Sequence, residues 1–261
     1  MASPVPTISL RAERDATHPL LPALNDAFTA VMRDEVTLPD FLLDMPGMSG
    51  RRYRMLINRL VRNLAAPRYL EVGSWKGSTL CAAIHDNKVS ALAIDNWSEF
   101  GGPFAEFLAH LAQSRSHASP VSFLEQDFRT VRFDALGPFD IYLFDGPHTA
   151  DDQYDGIVMA QPALAEEHIL VVDDWNLVAA RAGTQRAIAE LGLTVAGAIE
   201  IRTAPDDIHP EVHGAASDWH NGYFIAALRK ARSSARASPA PPAKPARAPA
   251  RLARGSPRTR R

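Results

Sequence analysis

Short apolar runs alternate with amphipathic stretches along most of the chain, from about residue 68 to about residue 229. The apolar runs have the length and the β-branched and aromatic content of strands. They cover residues 69–72, 91–95, 121–124, 141–144, 169–172, 194–201 and 223–228. The amphipathic stretches predict helices over residues 78–85, 103–113, 149–163 and 178–191. This alternation predicts an α/β fold with a doubly wound, mostly parallel sheet of seven strands.

The region before the first strand has a different pattern. Residues 1–18 are polar and irregular, and apolar residues at helical spacing then predict helices over 18–35 and 53–64. The intervening loop holds two methionines and two glycines within residues 45–50, a composition suited to an adaptable cover over a ligand. We therefore expect a helical extension over 1–66 and a central domain over 67–230.

The C-terminal segment carries a charge opposite to that of the rest. Residues 231–261 contain nine basic residues and no acidic ones, whereas residues 1–230 contain 19 basic and 30 acidic residues, a net charge of −11. The segment is rich in Ala, Pro, Ser and Arg and is predicted to be disordered. It is either a nonspecific contact for nucleic acid or for the acidic body, or a solvated extension.

Cysteine content and hydropathy limit the cellular setting. The single cysteine, Cys81, excludes an intrachain disulfide framework and fits a reducing compartment. No apolar run reaches the length that spans a membrane. We expect a cytoplasmic protein.

The most informative stretch joins the first strand to the first helix of the predicted sheet. It reads Glu71-Val-Gly-Ser-Trp-Lys-Gly77, an apolar strand followed by a glycine turn in which backbone can approach a ligand closely. A carboxylate at Glu71, two residues before Gly73, would repel a diphosphate and attract a ligand with positive charge. The stretch resembles the first motif of the class I S-adenosylmethionine-dependent methyltransferases. The resemblance continues to about residue 229 and implies that Glu71, Gly73 and Gly77 bind S-adenosylmethionine. It also implies that the last strand runs antiparallel beside the fifth.

The resemblance also assigns residues at the next two strand ends. Asp95 ends the second strand, 22 residues after Gly73, where the family has an acid that binds the ribose hydroxyls; the alternative is a helix cap or loop acid. Asp127 follows the third strand, where the family contacts the adenine amino group. Trp97 and Phe100 either flank the adenine or belong to the core.

The first helix offers a place for the amino-acid end of the cofactor. Ser78 and Thr79 begin this helix, and their backbone N–H groups can hold the cofactor carboxylate.

Three carboxylates follow the fourth and fifth strands, which we expect to be neighbours. Asp145 ends the fourth strand, and Asp173 and Asp174 end the fifth, 28 and 29 residues later. Such a cluster is unfavourable without a cation, and ligands that are all oxygen select hard ions such as Mg²⁺ or Mn²⁺. The spacing is similar to that of the metal ligands in cation-dependent catechol-type O-methyltransferases and in antibiotic sugar O-methyltransferases.

His148 lies three residues after Asp145, where those families have a lysine or a histidine that serves as base. The resemblance implies that His148 is the general base and that Asp145 takes part in catalysis. The alternative is a surface turn in which Thr149 caps the next helix, with Asp152 three residues on.

Together these features predict an S-adenosylmethionine-dependent methyltransferase that methylates a small-molecule hydroxyl with the help of a divalent cation. Alternatives are a metal-independent methyltransferase for another small molecule, including an amine, and a non-catalytic module whose basic tail binds nucleic acid. The fourth strand lacks the Asn/Asp-Pro-Pro-Tyr/Phe ending of enzymes that methylate nucleic-acid bases. The loop 202–222 is expected to be a substrate lid, and the oligomeric state stays open.

Overall fold

An eight-stranded sheet forms the centre of the computed structural model, which describes residues 6–11, 17–116 and 119–231. The strands lie in the order β1-β7-β8-β6-β5-β2-β3-β4. Their bounds are β1 Thr7–Arg11, β2 Arg68–Val72, β3 Ser90–Asp95, β4 Val121–Glu125, β5 Phe139–Phe144, β6 Leu164–Val172, β7 Thr194–Arg202 and β8 Tyr223–Arg229.

Strands β2 to β6 are parallel, and β8 runs antiparallel between β6 and β7. The doubly wound, mostly parallel sheet is thus confirmed, and so is the antiparallel placement of the last strand beside β6. Strands β5 and β6 are neighbours, with Phe144 opposite Val172. Because both run in the same direction as β2 and β3, the ends of all four strands lie at one edge of the sheet.

The eighth strand, β1, was not expected, because residues 1–18 were predicted to be irregular. β1 pairs antiparallel with the outer edge of β7, Thr7 opposite Arg202. Its two apolar side chains are not fully buried: Ile8 is partly buried, and Leu10 is 67% exposed. Backbone hydrogen bonds to the edge strand of the sheet hold such a strand in place. A hydropathy pattern contains no information about these bonds.

Within the described residues, seven α-helices cover the two faces of the sheet. Their bounds are α1 Leu21–Met32, α2 Asp40–Leu43, α3 Arg51–Arg62, α4 Ser78–Ile84, α5 Phe104–Ser114, α6 Ala150–Ala160 and α7 Val178–Glu190. Apolar side chains of α1, α3, α4 and α5 form one core with one face of the sheet, and those of α6 and α7 form a second core with the other. The sheet is thus buried on both sides.

Local differences from the predicted elements have simple causes. The short helix α2 interrupts the predicted loop 41–50 and buries Leu42 and Leu43 in a small cluster beside α4. Strand β6 begins at Leu164 rather than at residue 169, since Glu167 forms an ion pair with Arg229 of β8 at 2.8 Å. The side chains of these polar residues pair across the strands, which the apolar pattern does not show.

The described residues up to Ala231 form one compact unit. The predicted disordered tail lies outside the described residues. In the part of the chain that the structure describes, no helix is both long enough and apolar enough to cross a bilayer.

Candidate active site

Glu71 lies near the end of β2 and is only 1% exposed. Tyr69 donates a hydrogen bond of 2.5 Å to its Oε2 atom. Burial raises the pKa of Glu71 to about 7, although hydrogen bonds from Tyr69 and Ser74 lower it. The negative charge of Asp95 adds to the increase. A cationic ligand beside Glu71 would favour its ionised form.

The turn after β2 brings the cofactor motif against β5. Gly73 has a φ of +85°, and a Cβ atom built on it would lie 1.8 Å from the carbonyl oxygen of Asp145. The backbone N–H of Asp145 donates to the carbonyl of Val72 at 2.9 Å, which continues the ladder between β2 and β5. Glycine at this position therefore lets the predicted cofactor turn and the predicted metal ligand come together.

Asp95 holds two turns through backbone hydrogen bonds. Its Oδ2 accepts from the N–H of Trp75 at 2.8 Å, and its Oδ1 accepts from the N–H of Trp97 at 2.6 Å. Both tryptophans have positive φ, +43° and +46°. Each carboxylate oxygen keeps a second lone pair, so Asp95 can support these turns and still accept a hydroxyl. Its binding of the ribose stays a prediction.

Trp97 is 6% exposed and packs in an aromatic cluster with Phe104, Phe107 and Phe123. Its indole N–H donates to the carbonyl of Trp75 at 2.8 Å. Phe100, by contrast, is 69% exposed and faces Trp75 edge-on. Trp97 thus has the contacts of a core residue, and its predicted contact with the adenine stays untested.

Asp127 lies on the surface next to a short 3₁₀ turn at Phe128–Thr130. Its carboxylate accepts from the N–H of Arg129 at 2.9 Å and forms an ion pair with the same side chain. These local contacts are sufficient to explain an acidic residue at this position. The predicted role of Asp127 at the adenine amino group stays a prediction.

Several predicted residues line one cavity. Its lining combines the β2 turn, the start of α4, the end of β5 and the loop before α3: Met48, Glu71, Gly73, Ser74, Trp75, Ser78, Thr79, Leu143 and Asp145. Gly77, at the end of the β2 turn, has a φ of +79° and is the residue before α4. Met48 thus places the methionine-rich loop at the cavity, and its role as a cover stays a prediction.

Asp173 and Asp174 are buried after the end of β6, and Asp145 is half-buried after the end of β5. The backbone N–H of Asp174 donates to Oδ1 of Asp173 at 2.6 Å. Burial raises the pKa of Asp145 and of Asp173 well above the ordinary value, and the charges of neighbouring acids raise both further. Among the described residues, no Lys or Arg forms an ion pair with these three aspartates. The cluster therefore has the negative charge, the burial and the all-oxygen chemistry that fit a hard divalent cation.

His148 lies directly beside this cluster. Its Nε2 is 2.6 Å from Oδ2 of Asp174, and Asn221 donates to the other oxygen of that carboxylate. Burial raises the pKa of Asp174, but the hydrogen bonds from His148 and Asn221 outweigh burial and leave the pKa below its usual value. Thr149 caps α6 as predicted, accepting from the N–H of Asp152 at 3.1 Å. The cap fixes the backbone that carries His148, so the two interpretations of this turn are compatible.

Two groups of side chains have ligand atoms within 4.8 Å of one another: Asp145, His148 and Asp174 in one, and Asp173, Asp174 and His220 in the other. The Nδ1 atom of His220 accepts a hydrogen bond from the N–H of Gly214 at 3.0 Å, so a neutral ring carries its proton on Nε2. Burial lowers the pKa of His220 to about 4. A ring that keeps its proton on Nε2 and uses Nδ1 as an acceptor has no free lone pair for a metal, so a cation is better held by the aspartates than by His220.

Two buried asparagines in this region were not expected from the sequence. Asn176 donates to Oδ1 of Asn221 at 2.8 Å and to Thr203 at 2.9 Å, and Asn221 in turn holds Asp174. Asn176 follows the acidic pair by two residues, which is a usable signal. Asn221 comes from the loop before β8, and nothing in its local pattern indicates that it reaches the acids.

Comparison with known proteins agrees with this geometry. Residues 70–175 match the model of a family described as a methyltransferase domain. No curated protein matches the sequence. Among solved structures, the O-methyltransferase TomG from Streptomyces achromogenes, involved in tomaymycin synthesis and solved with S-adenosylmethionine, is 18% identical. The match covers 82% of this chain and 92% of TomG, with a TM-score of 0.47.

An O-methyltransferase from Bacillus cereus is 12% identical over 82% of this chain and 94% of its own, with a TM-score of 0.45. These distant likenesses carry no argument about activity. The match to the family model includes the Glu71 turn, both acidic strand ends and the strands between them. Over residues 70–175 the chain is therefore similar to a methyltransferase domain.

Proposed function

We propose that this protein transfers a methyl group from S-adenosylmethionine to a hydroxyl oxygen of a small molecule, with a divalent cation held by Asp145, Asp173 and Asp174. One observation carries the proposal. Polar atoms of Asp145, His148 and Asp174 lie within 4.8 Å of one another, and Asp145 also lines the cavity that contains Glu71. A proton acceptor and a cation site thus adjoin the place where the methyl donor is expected.

The donor set supports Mg²⁺ or Mn²⁺. Ligands bound to one Mg²⁺ ion at 2.0–2.1 Å lie at most about 4.2 Å apart. Asp174 has ligand atoms within 4.8 Å of Asp145 in one group and of Asp173 in the other, so binding of the ion would draw the three carboxylates slightly together. Asp173 supplies a buried carboxylate and Asp145 a half-buried one, and Asp174 has lone pairs beyond those used by His148 and Asn221. When bound, such a cation supplies Lewis acidity that lowers the pKa of the acceptor hydroxyl.

His148 is the residue that removes the proton. In its neutral form the ring donates Nε2–H to Asp174, which leaves the lone pair of Nδ1 to accept the hydroxyl proton. Asp174 then stabilises the positive ring, and Asn221 keeps the carboxylate in place. The resulting oxyanion attacks the sulfonium methyl group in line with the departing sulfur.

The experiment is methyl transfer from a labelled donor to a metabolite extract, followed by mass spectrometry of the products. We expect a labelled small molecule whose formation stops after chelation and returns with Mg²⁺ or Mn²⁺. Asp173→Asn should lower turnover about 100-fold or more. Unchanged turnover after chelation would refute the cation and favour a metal-independent methyltransferase.

His148→Gln separates a base from a metal ligand. If His148 is the base, turnover falls about 100-fold or more while the affinity for Mn²⁺ stays within about threefold. A parallel loss of Mn²⁺ affinity would instead make His148 a ligand of the cation.

The small-molecule acceptor also separates this proposal from a non-catalytic module. A module would bind no S-adenosylmethionine in calorimetry, and it would lose affinity for nucleic acid when residues 231–261 are deleted. We expect cofactor binding and methyl transfer to persist after that deletion, because the nine basic residues removed lie beyond the compact unit.

A further inference from the structure

Arg54 is a buried cation whose hydrogen bonds are incomplete. It lies in the first turns of α3 and is 0% exposed. Its Nε donates to Ser49 Oγ at 2.9 Å, and its Nη1 donates to the carbonyls of Leu42 at 2.6 Å and Met45 at 2.8 Å. Its Nη2 has no hydrogen-bond partner among the described residues.

The positive charge of Arg54 also lacks a paired acid. No carboxylate of the described residues lies within ion-pair distance of it, although Asp44, Arg52 and Arg51 nearby form ion pairs of their own. A buried guanidinium N–H without a partner costs about 1–3 kcal/mol, and a buried charge without a counterion costs more. An anionic group from outside the chain would remove both costs.

The unpartnered nitrogen lies behind Ser78, a residue of the cavity wall. A Cβ atom built on Gly47 would be 3.3 Å from Arg54 Nη2 and 2.1 Å from Ser78 Oγ, so these two atoms are at most about 5.4 Å apart. Ser78 Oγ is also 2.8 Å from Ser49 Oγ, the hydroxyl that Arg54 Nε contacts. Ser78 lines the cavity together with Glu71.

The charge of this cavity favours a cation near the carboxylate of a zwitterionic ligand. Glu71 and Asp145 line it, and they attract an ammonium but repel a carboxylate. The amino-acid end of S-adenosylmethionine carries both groups. The part of the wall formed by Ser78, with Ser49 and Arg54 behind it, offers two hydroxyls and a positive charge.

We propose that Arg54 Nη2, with the hydroxyls of Ser49 and Ser78, forms the subsite that binds the α-carboxylate of the methyl donor. This inference rests on the proposed function, since it assigns one end of the same cofactor. The loop that carries Gly47 shifts away from Ser78 to admit the carboxylate, and the two remaining Arg54 nitrogens keep their hold on that loop.

The test compares S-adenosylmethionine with decarboxylated S-adenosylmethionine, which lacks only the carboxylate, by calorimetry on the full chain. The wild-type protein should bind the complete cofactor about 10- to 100-fold more tightly, as expected for a charge-assisted hydrogen bond. Arg54→Met should weaken the binding of S-adenosylmethionine alone, so the ratio of the two affinities should fall to near one. Equal wild-type affinities for the two ligands would overturn the subsite.

Two further variants keep the test decisive if Arg54→Met does not fold. Ser49→Ala removes one hydroxyl of the subsite and should lower the ratio about three- to tenfold. Arg62→Met serves as the matched control, because Arg62 ends the same helix and contacts Asn87. An unchanged ratio in Ser49→Ala, or an equal loss in Arg62→Met, would overturn the proposal.

The remaining outcomes separate the two inferences. If neither cofactor binds the wild-type protein, the proposed function itself fails. If both cofactors bind equally and Arg54→Met raises only the KM of an anionic acceptor, the anion belongs to the acceptor and the carboxylate assignment is wrong.

Discussion

Substitution of Gly73 by alanine tests the contact between the cofactor turn and the metal-binding strand. The change adds one methyl group at a residue with φ of +85°, where L-residues are strained. The new Cβ would lie 1.8 Å from the carbonyl oxygen of Asp145. Since carbon and oxygen do not approach closer than 3.0 Å, one backbone has to move by at least about 1.2 Å.

Two costs add in this variant. Left-handed backbone costs a non-glycine residue about 1–2 kcal/mol. Overpacking against the end of β5 adds about 1–3 kcal/mol, so Gly73→Ala should lower the free energy of unfolding by about 2–5 kcal/mol in all. The same displacement separates Glu71 from Asp145, and the affinity for S-adenosylmethionine should fall with the stability.

Gly101→Ala is the matched control, because Gly101 also has φ of +85° but has nothing within 4 Å of its Cβ position. Urea denaturation measures the free energy of unfolding of both variants. Gly101→Ala reports the backbone strain alone, and Gly73→Ala reports the strain together with the clash. Gly101→Ala should cost only about 1–2 kcal/mol. Equal destabilisation of the two variants, with unchanged cofactor affinity in Gly73→Ala, would refute the close contact.

Three further predictions concern buried polar groups. Because burial raises the pKa of Glu71 to about 7, affinity for S-adenosylmethionine should rise between about pH 6 and 8 in the wild type but not in Glu71→Gln, as calorimetry would show. Burial lowers the pKa of His168 to about 4, so the folded protein binds fewer protons than the unfolded chain between pH 4 and 6.5. The resulting stability, about 3 kcal/mol, is complete above pH 6.5 and is lost as the pH falls towards 4. Urea titrations of wild type and His168→Gln should show this loss in the wild type alone. Asn221→Leu removes a donor to Asp174, and steady-state kinetics should show a fall in turnover of about tenfold or more with the cofactor Kd unchanged.

The sequence predicted the central sheet well because its strands are buried on both faces and therefore have continuous apolar runs. The order of β5 beside β6 and the antiparallel β8 followed from the resemblance, and both are confirmed. The edge strand β1 was missed, because its five residues depend on backbone pairing with β7. Local hydropathy carries little information about such pairing.

The site residues that lie at or directly after the end of a strand could be predicted from the sequence. Glu71, Asp145 and the acidic pair end strands that run together, so parallel topology alone brings them to one edge. Asn221 and Arg54 were not found, since each reaches its position through a loop or helix far away in sequence. Arg54 in particular has the helical spacing of a polar face, and only the structure shows that its side chain is buried.

The most direct measurement of the central claim is a calorimetric titration of S-adenosylmethionine into the wild-type protein and Glu71→Gln, both in excess Mg²⁺. The claim is that carboxylates at adjacent strand ends bind a positively charged methyl donor. We predict one cofactor per chain in the wild type and an affinity at least about tenfold lower in the variant. No binding to the wild type, or equal affinity in the two proteins, would contradict it.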